Sequence, residues 1–220
     1  MSLQHEETLK CTKCGAENQF TIHESVNVTL NPELKPQVLN GSLFKMTCAS
    51  CGTQIIVNYD ILYHDMSDYC PLMIQCYHEK KGWERINDQN ANIRKMMREM
   101  NLSTEFPHRV VIGYNALRET IRIFDAGYDD RVMFAVKMLF ATLLRRDGVP
   151  CRGILFCGRD ENSSPVFSVL NTKNEESFYN LPMDLYDNVS EKLKRILPQE
   201  SERHILVDND FMLPYLERLN

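Results

Sequence analysis

The sequence predicts an α+β fold, in which a β-rich N-terminal module precedes a mixed α/β C-terminal region. Short apolar-alternating segments dominate about the first 80 residues, whereas helical periodicity with interspersed strands dominates the remainder. Two Cys-x-x-Cys motifs are also confined to the N-terminal part. We therefore predict two domains, at residues 1–84 and 85–220.

The N-terminal module is predicted to consist mostly of strands. Apolar residues alternate with polar ones over residues 19–30, which is typical of a half-buried strand. Asn31-Pro32-Glu33 resembles the start of a helix and Asn40-Gly41 its end, although Pro36 favours a late start or a kink. Further strands are predicted at 43–47, 54–59 and 70–78.

The C-terminal region is predicted to alternate helices and strands. Asp129-Asp130 begins a helix that ends near Gly148, and its run VMFAVKMLFATLL predicts a central, buried helix. Polar segments at 158–164 and 171–180 are interpreted as solvated loops. The other predicted helices are a Met-rich core helix around Ile93, Met96, Met97 and Met100, and helices at 115–127, 184–197 and 211–218. The predicted strands are 152–157, 165–170 and 204–208.

Charge and hydropathy narrow the class of protein. The net charge is −5, and residues 1–84 contain 6 Lys and Arg against 10 Asp and Glu. This acidic balance argues against binding of duplex nucleic acid, which requires a basic surface. No apolar stretch is long enough to span a membrane, and the N-terminus lacks the pattern of a signal peptide. We therefore expect a cytoplasmic protein with reduced thiols.

The paired cysteines are the most specific feature of the sequence. Cys11 and Cys14 form one Cys-x-x-Cys motif, Cys48 and Cys51 form another, and a glycine follows each. Two intervening residues allow a tight turn to direct both sulfurs to one point, and four thiolates complete a closed tetrahedral zinc site. The 33-residue gap between the motifs is unusually long, but doubling a flexible loop costs only about 0.6 kcal/mol.

Other interpretations of these four cysteines remain open. Rubredoxin-type iron sites use the same ligands, so the sequence does not distinguish zinc from iron. A disulfide pair conflicts with a reducing compartment, and a redox Cys-x-x-Cys normally stands at a helix N-terminus in a βαβ unit. We interpret the remaining cysteines as small buried hydrophobes; these are Cys70, Cys76, Cys151 and Cys157.

Residues 9–78 resemble the CpXC domain family. The resemblance rests on the two cysteine pairs, on NPELKPQVLNGSLF between them and on YDILYHD after them. The proline of the family motif is absent, because the two motifs here are CTKC and CASC. The segment ETIRIFDAGYDDRVMFAVK also resembles a C-terminal extension of some members. The resemblance implies a zinc-ribbon-like module, and it does not by itself imply any particular activity.

One polar cluster is a candidate active site. Tyr59, Tyr63, His64 and Asp65 lie close together in sequence, and a His beside an Asp is a possible oriented base. Adjacent strand residues point to opposite faces, however, so we favour a strand end at which His64 and Asp65 cap turn backbone groups.

These observations predict a zinc-stabilised binding or regulatory module whose metal is structural. Its partner is an unknown protein or small molecule, and the Met- and Leu-rich helices are candidates for a homodimer face. Two alternatives remain: an enzyme with a site near Tyr63-His64-Asp65 or in a C-terminal cleft, and a nucleic-acid-binding zinc ribbon.

Overall fold

A computed structural model describes residues 2–67, 71–80, 99, 106–198 and 205–219. The predicted α+β class is confirmed: a strand-rich N-terminal part is followed by mixed helices and strands. The chain divides into two compact units, one of residues 1–118 with 200–205 and the other of residues 119–199 with 206–220. The predicted boundary between residues 84 and 85 lies outside the described residues.

The first unit is built on a six-stranded mixed sheet. Its order is β1-β2-β5-β6-β7-β11, with antiparallel β1/β2 and β5/β6 pairs and parallel β2/β5 and β6/β7 pairs. The bounds of its strands are β1 Leu3–Lys10, β2 Glu17–Asn27, β5 Ile61–Asp65, β6 Leu72–Tyr77, β7 His108–Ile112 and β11 Ile205–Leu206.

Alternation along β2 determines which face of the sheet is buried. Phe20, Ile22 and Val26 are buried, as the apolar pattern predicts. The strand continues through Glu24 and Ser25, but its pairing with β1 shifts register there, because Gln4 pairs with His23 and Leu3 with Ser25. Strand β1 pairs with β2 over its whole length but remains mostly exposed. It therefore forms the edge of the sheet.

A helix and a hairpin lie between β2 and β5 in sequence. Helix α1 (Leu34–Asn40) begins late, as Pro36 predicts. Pro36 falls in the first turn, where backbone N–H groups have no intrahelical acceptor, so its missing N–H costs nothing. A 3₁₀ turn (Ser42–Phe44) leads into the antiparallel pair of β3 (Lys45–Thr47) and β4 (Gln54–Ile56).

The second unit packs helices against a three-stranded antiparallel sheet of order β10-β9-β8. Its strands are β8 Gly153–Arg159, β9 Pro165–Leu170 and β10 Glu176–Asn180. The helices that follow β7 are α2 Tyr114–Asp125, α3 Asp130–Arg146, α4 Met183–Leu193 and α5 Asn209–Leu216. Residues 114–118 of α2 belong to the first unit, and the rest of α2 and the other three helices belong to the second unit. Strand β10 corrects the predicted loop at 171–180, because pairing with β9 orders a polar segment that has no apolar alternation.

Helix α3 begins and ends as predicted but is not buried on every side. Asp129 caps it by accepting a hydrogen bond from Arg131 N at 2.9 Å. Val132, Met133, Val136 and Phe140 are among its core residues. Three apolar residues in its C-terminal half are exposed, and these are Met138, Leu139 and Leu143.

Some predicted features cannot be compared with the structure. The predicted Met-rich helix and Cys70 lie outside the described residues. Within the described part of the chain, no helix is both long and apolar enough to cross a membrane.

Candidate metal centre

The two cysteine motifs form two turns with the same backbone hydrogen bonds. In the first turn, Cys11 N donates to Ala16 O at 2.8 Å and Gly15 N donates to Cys11 O at 2.9 Å. The second turn repeats this pattern, with Cys48 N donating to Thr53 O and Gly52 N to Cys48 O, both at 2.9 Å. The two motifs have the same cysteine spacing and form the same type of turn, as the sequence predicts.

A glycine is needed at the fifth position of each turn. Gly15 has φ +76° and Gly52 has φ +68°, which is the left-handed region that other residues rarely adopt. Nothing lies within 4 Å of a Cβ built at either position. Backbone conformation, and not lack of space, therefore selects glycine here.

The four sulfurs have the spacing of a tetrahedral metal site. All four Sγ atoms lie within 4.8 Å of one another, with 3.7 Å between Cys11 and Cys51 and 3.6 Å between Cys14 and Cys48. A tetrahedron with Zn–S bonds of about 2.3 Å has edges of roughly 3.8 Å. A disulfide bond is close to 2.0 Å, so none of these cysteines is in one. The donor set and its geometry fit a thiophilic metal ion.

Backbone and side-chain donors favour thiolates in the second turn. Hydrogen bonds from the N–H of Cys51, then of Ser50, lower the pKa of Cys48 to about 6. Thr53 lowers the pKa of Cys51, whose Sγ lies 3.2 Å from Thr53 Oγ1. Because a metal binds the thiolate and not the thiol, this half of the site is electrostatically prepared for a cation.

In the first turn, the pKa of the Cys14 thiol is raised and not lowered. The N–H of Ala16 lowers the pKa of Cys14, but the neighbouring Cys51 thiol and burial outweigh it, and the pKa is raised to about 11. Four thiols close together resist ionisation one after another, because each new thiolate faces the charge of the others. A divalent cation at their centre removes that repulsion.

Asn18 joins the two turns and was not predicted as a site residue. Its Nδ2 donates to Ala16 O at 2.9 Å and lies 3.7 Å from Cys48 Sγ, and its Oδ1 accepts from Ala49 N at 2.8 Å. It is buried at the start of β2, on the same face as Phe20. The sequence does contain a signal for Asn18: a polar carboxamide stands at a strand position where the alternating pattern predicts an apolar residue.

The remaining described cysteines differ from the prediction in part. Cys76 is fully buried, as expected, and burial raises the pKa of its thiol to about 12. The prediction is wrong for the other two, because Cys151 is exposed and Cys157 is only half-buried. Cys151 lies just before β8, and no described element covers it.

The structure separates the members of the candidate active-site cluster. Tyr63 is completely buried, and Tyr59 is buried with its hydroxyl donating to Leu43 O at 3.3 Å. Asp65 Oδ2 accepts from Lys35 Nζ at 3.1 Å and its Oδ1 accepts from Ser67 N at 3.1 Å. The carboxylate thus caps a turn, as the sequence analysis favoured.

His64 lies next to Asp65 on β5, so the two side chains project to opposite faces of the sheet. Burial lowers the pKa of His64. The geometry does not form the oriented His–Asp pair that a general base requires.

Comparison with known proteins agrees with the cysteine cluster. The sequence profile of the CpXC protein family matches residues 9–137, which contain all four clustered cysteines and extend beyond residue 78, where the predicted resemblance ends. No curated protein and no solved structure matches the chain significantly. The family match and the four-cysteine cluster together indicate a metal-binding module. Because the match spans more than half of the sequence, the chain belongs to the CpXC protein family.

Proposed function

We propose that Cys11, Cys14, Cys48 and Cys51 hold one Zn²⁺ and that this zinc stabilises the first unit of the protein. The spacing of the four sulfurs carries the proposal, since it corresponds to the edges of a tetrahedral thiolate site. Zinc in the reducing cytoplasm is preferred to iron because it has no redox chemistry and suits four thiolates without a preferred d-electron geometry.

The role of the zinc is structural because four protein ligands leave no open coordination position. Catalytic zinc sites keep a position for water or substrate, which a set of four cysteine ligands does not provide. The β3–β4 hairpin has only three residues in each strand, and isolated hairpins of that size are not stable in water. Zinc binding at its tip supplies the missing free energy, with apparent contributions of about 10–16 kcal/mol in small zinc modules.

A module of this kind functions by binding. The zinc joins two turns that are far apart in sequence, and the surfaces around them become rigid enough to recognise a protein or small-molecule partner. A regulatory or binding role is favoured over catalysis because Tyr63 is buried and the Asp65 carboxylate is engaged by Lys35 and Ser67 N.

The proposal is tested by native mass spectrometry of the untagged, unchelated protein. We expect one zinc per chain, lost in Cys11→Ser and in Cys48→Ser. Cys151→Ser is the matched control, because Cys151 is exposed outside the cluster, and it should retain the zinc. Detection of iron instead of zinc would change the identity of the metal but would still support a metal site at these four cysteines. If the protein contained no metal and its mass were lower by the hydrogens that are lost when disulfide bonds form, the proposal would be refuted.

A further inference from the structure

A cavity of about 440 Å³ lies in the first unit, away from the cysteines. Its walls come from the end of α1, the base of the β3–β4 hairpin and the first turn of α2. The volume falls within the range of small-molecule pockets, roughly 300–1,000 Å³. None of the four clustered cysteines lines it.

The described residues of the cavity lining include two cations and no anion. Lys45 and Arg118 both line it, and none of the eight described lining residues is acidic. Asn40 and Asn115 add carboxamide groups. Asn40 Oδ1 already accepts a hydrogen bond from Ser42 N at 2.7 Å, so its amide nitrogen is the group that remains to act as a donor. This combination in an otherwise acidic chain suits an anionic ligand.

The N-terminus of α2 adds to the positive electrostatic potential in the cavity. Tyr114 and Asn115 belong to its first turn, which contains no acidic residue. The unpaired N–H groups and the dipole of a helix attract anions at this end. Arg118 follows Tyr114 by four residues, so both side chains project from one face of the helix.

The cavity walls are fixed before any ligand enters. The Tyr114 hydroxyl donates to Val57 O at 2.9 Å and accepts from Tyr59 N at 2.7 Å. The Tyr114 ring stacks on Phe44 with ring centroids 3.6 Å apart. Arg118 Nε donates to Leu39 O at 2.7 Å, which orients the guanidinium. A preorganised site loses less conformational entropy when a ligand binds.

The hairpin provides an apolar surface beside the cations. Ile56 is 52% exposed, and it is the cross-strand partner of Lys45 in the β3–β4 pair. Cross-strand partners project from the same face of a hairpin. A ligand whose anionic group contacts Lys45 therefore has an adjacent apolar side chain for its remaining atoms.

We propose that this cavity binds a small organic anion. A phosphate or carboxylate group contacts Lys45, Arg118 and the first turn of α2, and an apolar portion of the ligand covers Ile56. The inference requires a folded hairpin but does not depend on which metal the cysteines hold.

The experiment is a titration of the full-length, metal-loaded, ¹⁵N-labelled protein with phenyl phosphate and, separately, with benzoate. We expect saturable shifts of the amide signals of Lys45, Ile56 and Asn115 with at least one of the two probes. The probe that binds identifies the anionic group. Lys45→Glu should weaken binding by about tenfold or more, because it replaces a charged donor by a repelling carboxylate.

Lys10→Glu is the matched control, since it makes the same charge change at an exposed residue of β1 and should leave the affinity unchanged. Arg118→Lys retains the cation and should bind more weakly than wild type but more tightly than Lys45→Glu. Native mass spectra of each variant report the metal, so a collapsed hairpin is distinguished from a lost anion contact.

Three results would overturn the inference. The first is the absence of saturable shifts with both probes. The second is equal loss of affinity in Lys45→Glu and Lys10→Glu. The third is an equal affinity for inorganic phosphate and phenyl phosphate, which would show that Ile56 contributes no contact.

Discussion

Asn18 and Ala49 connect the two cysteine turns through a single hydrogen bond, in which Ala49 N donates to Asn18 Oδ1 at 2.8 Å. The same carboxamide donates to Ala16 O in the first turn. One buried side chain therefore holds together two segments that are far apart along the chain. It does so without being a metal ligand, and groups of this kind orient the ligands of a metal.

We predict that Asn18→Ala weakens metal binding by about 10- to 100-fold while keeping one metal per chain, because loss of a supporting group typically has this effect. It also removes the side-chain acceptor of Ala49 N, which holds the second turn to the start of β2. Competition with a chromophoric chelator measures the affinity. Asn58→Ala is the control, since Asn58 is exposed before β5 and should bind metal normally. Equal affinities in the two variants would exclude a supporting role for Asn18.

Gly52→Ala should destabilise the second turn by about 1–2 kcal/mol, the cost of a left-handed conformation for a residue with a Cβ. Space is not limiting, because nothing lies within 4 Å of the added Cβ. Hydrogen exchange of the β3–β4 amides measures the change. Gly153→Ala is the control: it also has open space but no left-handed φ, so we expect a change within about 0.5 kcal/mol. Similar exchange in both variants would contradict the conformational argument.

Metal removal should affect the first unit selectively. After chelation we expect faster hydrogen exchange in the two cysteine turns and in β3–β4, because the hairpin loses the ion that stabilises it. Helix α3 belongs to the second unit and packs within that unit's own core, so its exchange should be unchanged. Adding back zinc should restore the original rates. Equal acceleration in α3 would show that the metal stabilises the whole chain.

The sequence predicts those parts of the site and fold that depend on local geometry. Cys-x-x-Cys-Gly spacing determines each turn by itself, so both turns and the grouping of their cysteines follow from the motif. The cap at Asp129 and the late start of α1 at Pro36 are likewise local. Apolar alternation identified β2 for the same reason.

Features that depend on distant partners were missed. Strands β1 and β10 have no clear apolar alternation, and they are strands because β2 and β9 pair with them. The role of Asn18 requires Ala49 to be near, which no local pattern indicates. The exposure of Cys151 likewise depends on how distant segments pack, whereas cysteine as a residue type is usually buried.

Asp65→Ala should destabilise the first unit by about 1–3 kcal/mol, because it removes a carboxylate that accepts hydrogen bonds from the partly buried Lys35 Nζ and from Ser67 N. Thermal unfolding followed by circular dichroism measures the change. Asp187→Ala removes an exposed carboxylate from α4 and should change stability by less than about 0.5 kcal/mol. A stable Asp65→Ala protein would argue against the structural role and return attention to chemistry at β5.

The stability of the protein should fall on acidification partly because of His23. This residue is buried on β2, and its Nδ1 has no hydrogen-bond partner among the described residues. Burial lowers its pKa below the ordinary 6.5, although Glu6 raises it somewhat. As the pH falls below 6.5, the unfolded chain binds a proton that the folded chain excludes. Its stabilising contribution is therefore complete above pH 6.5 and is lost as the pH falls through the folded-state pKa.

We predict that His23→Leu makes the free energy of unfolding less dependent on pH between about pH 7 and pH 5, because leucine has no proton to bind in either state. Urea unfolding at several pH values measures this slope. His5→Leu makes the same substitution at an exposed residue of β1 and should retain a steeper slope than His23→Leu. The pKa of His64 is lowered by burial in the same direction, so part of the slope should remain. If His23→Leu kept the wild-type slope, the buried imidazole would not be the group that titrates.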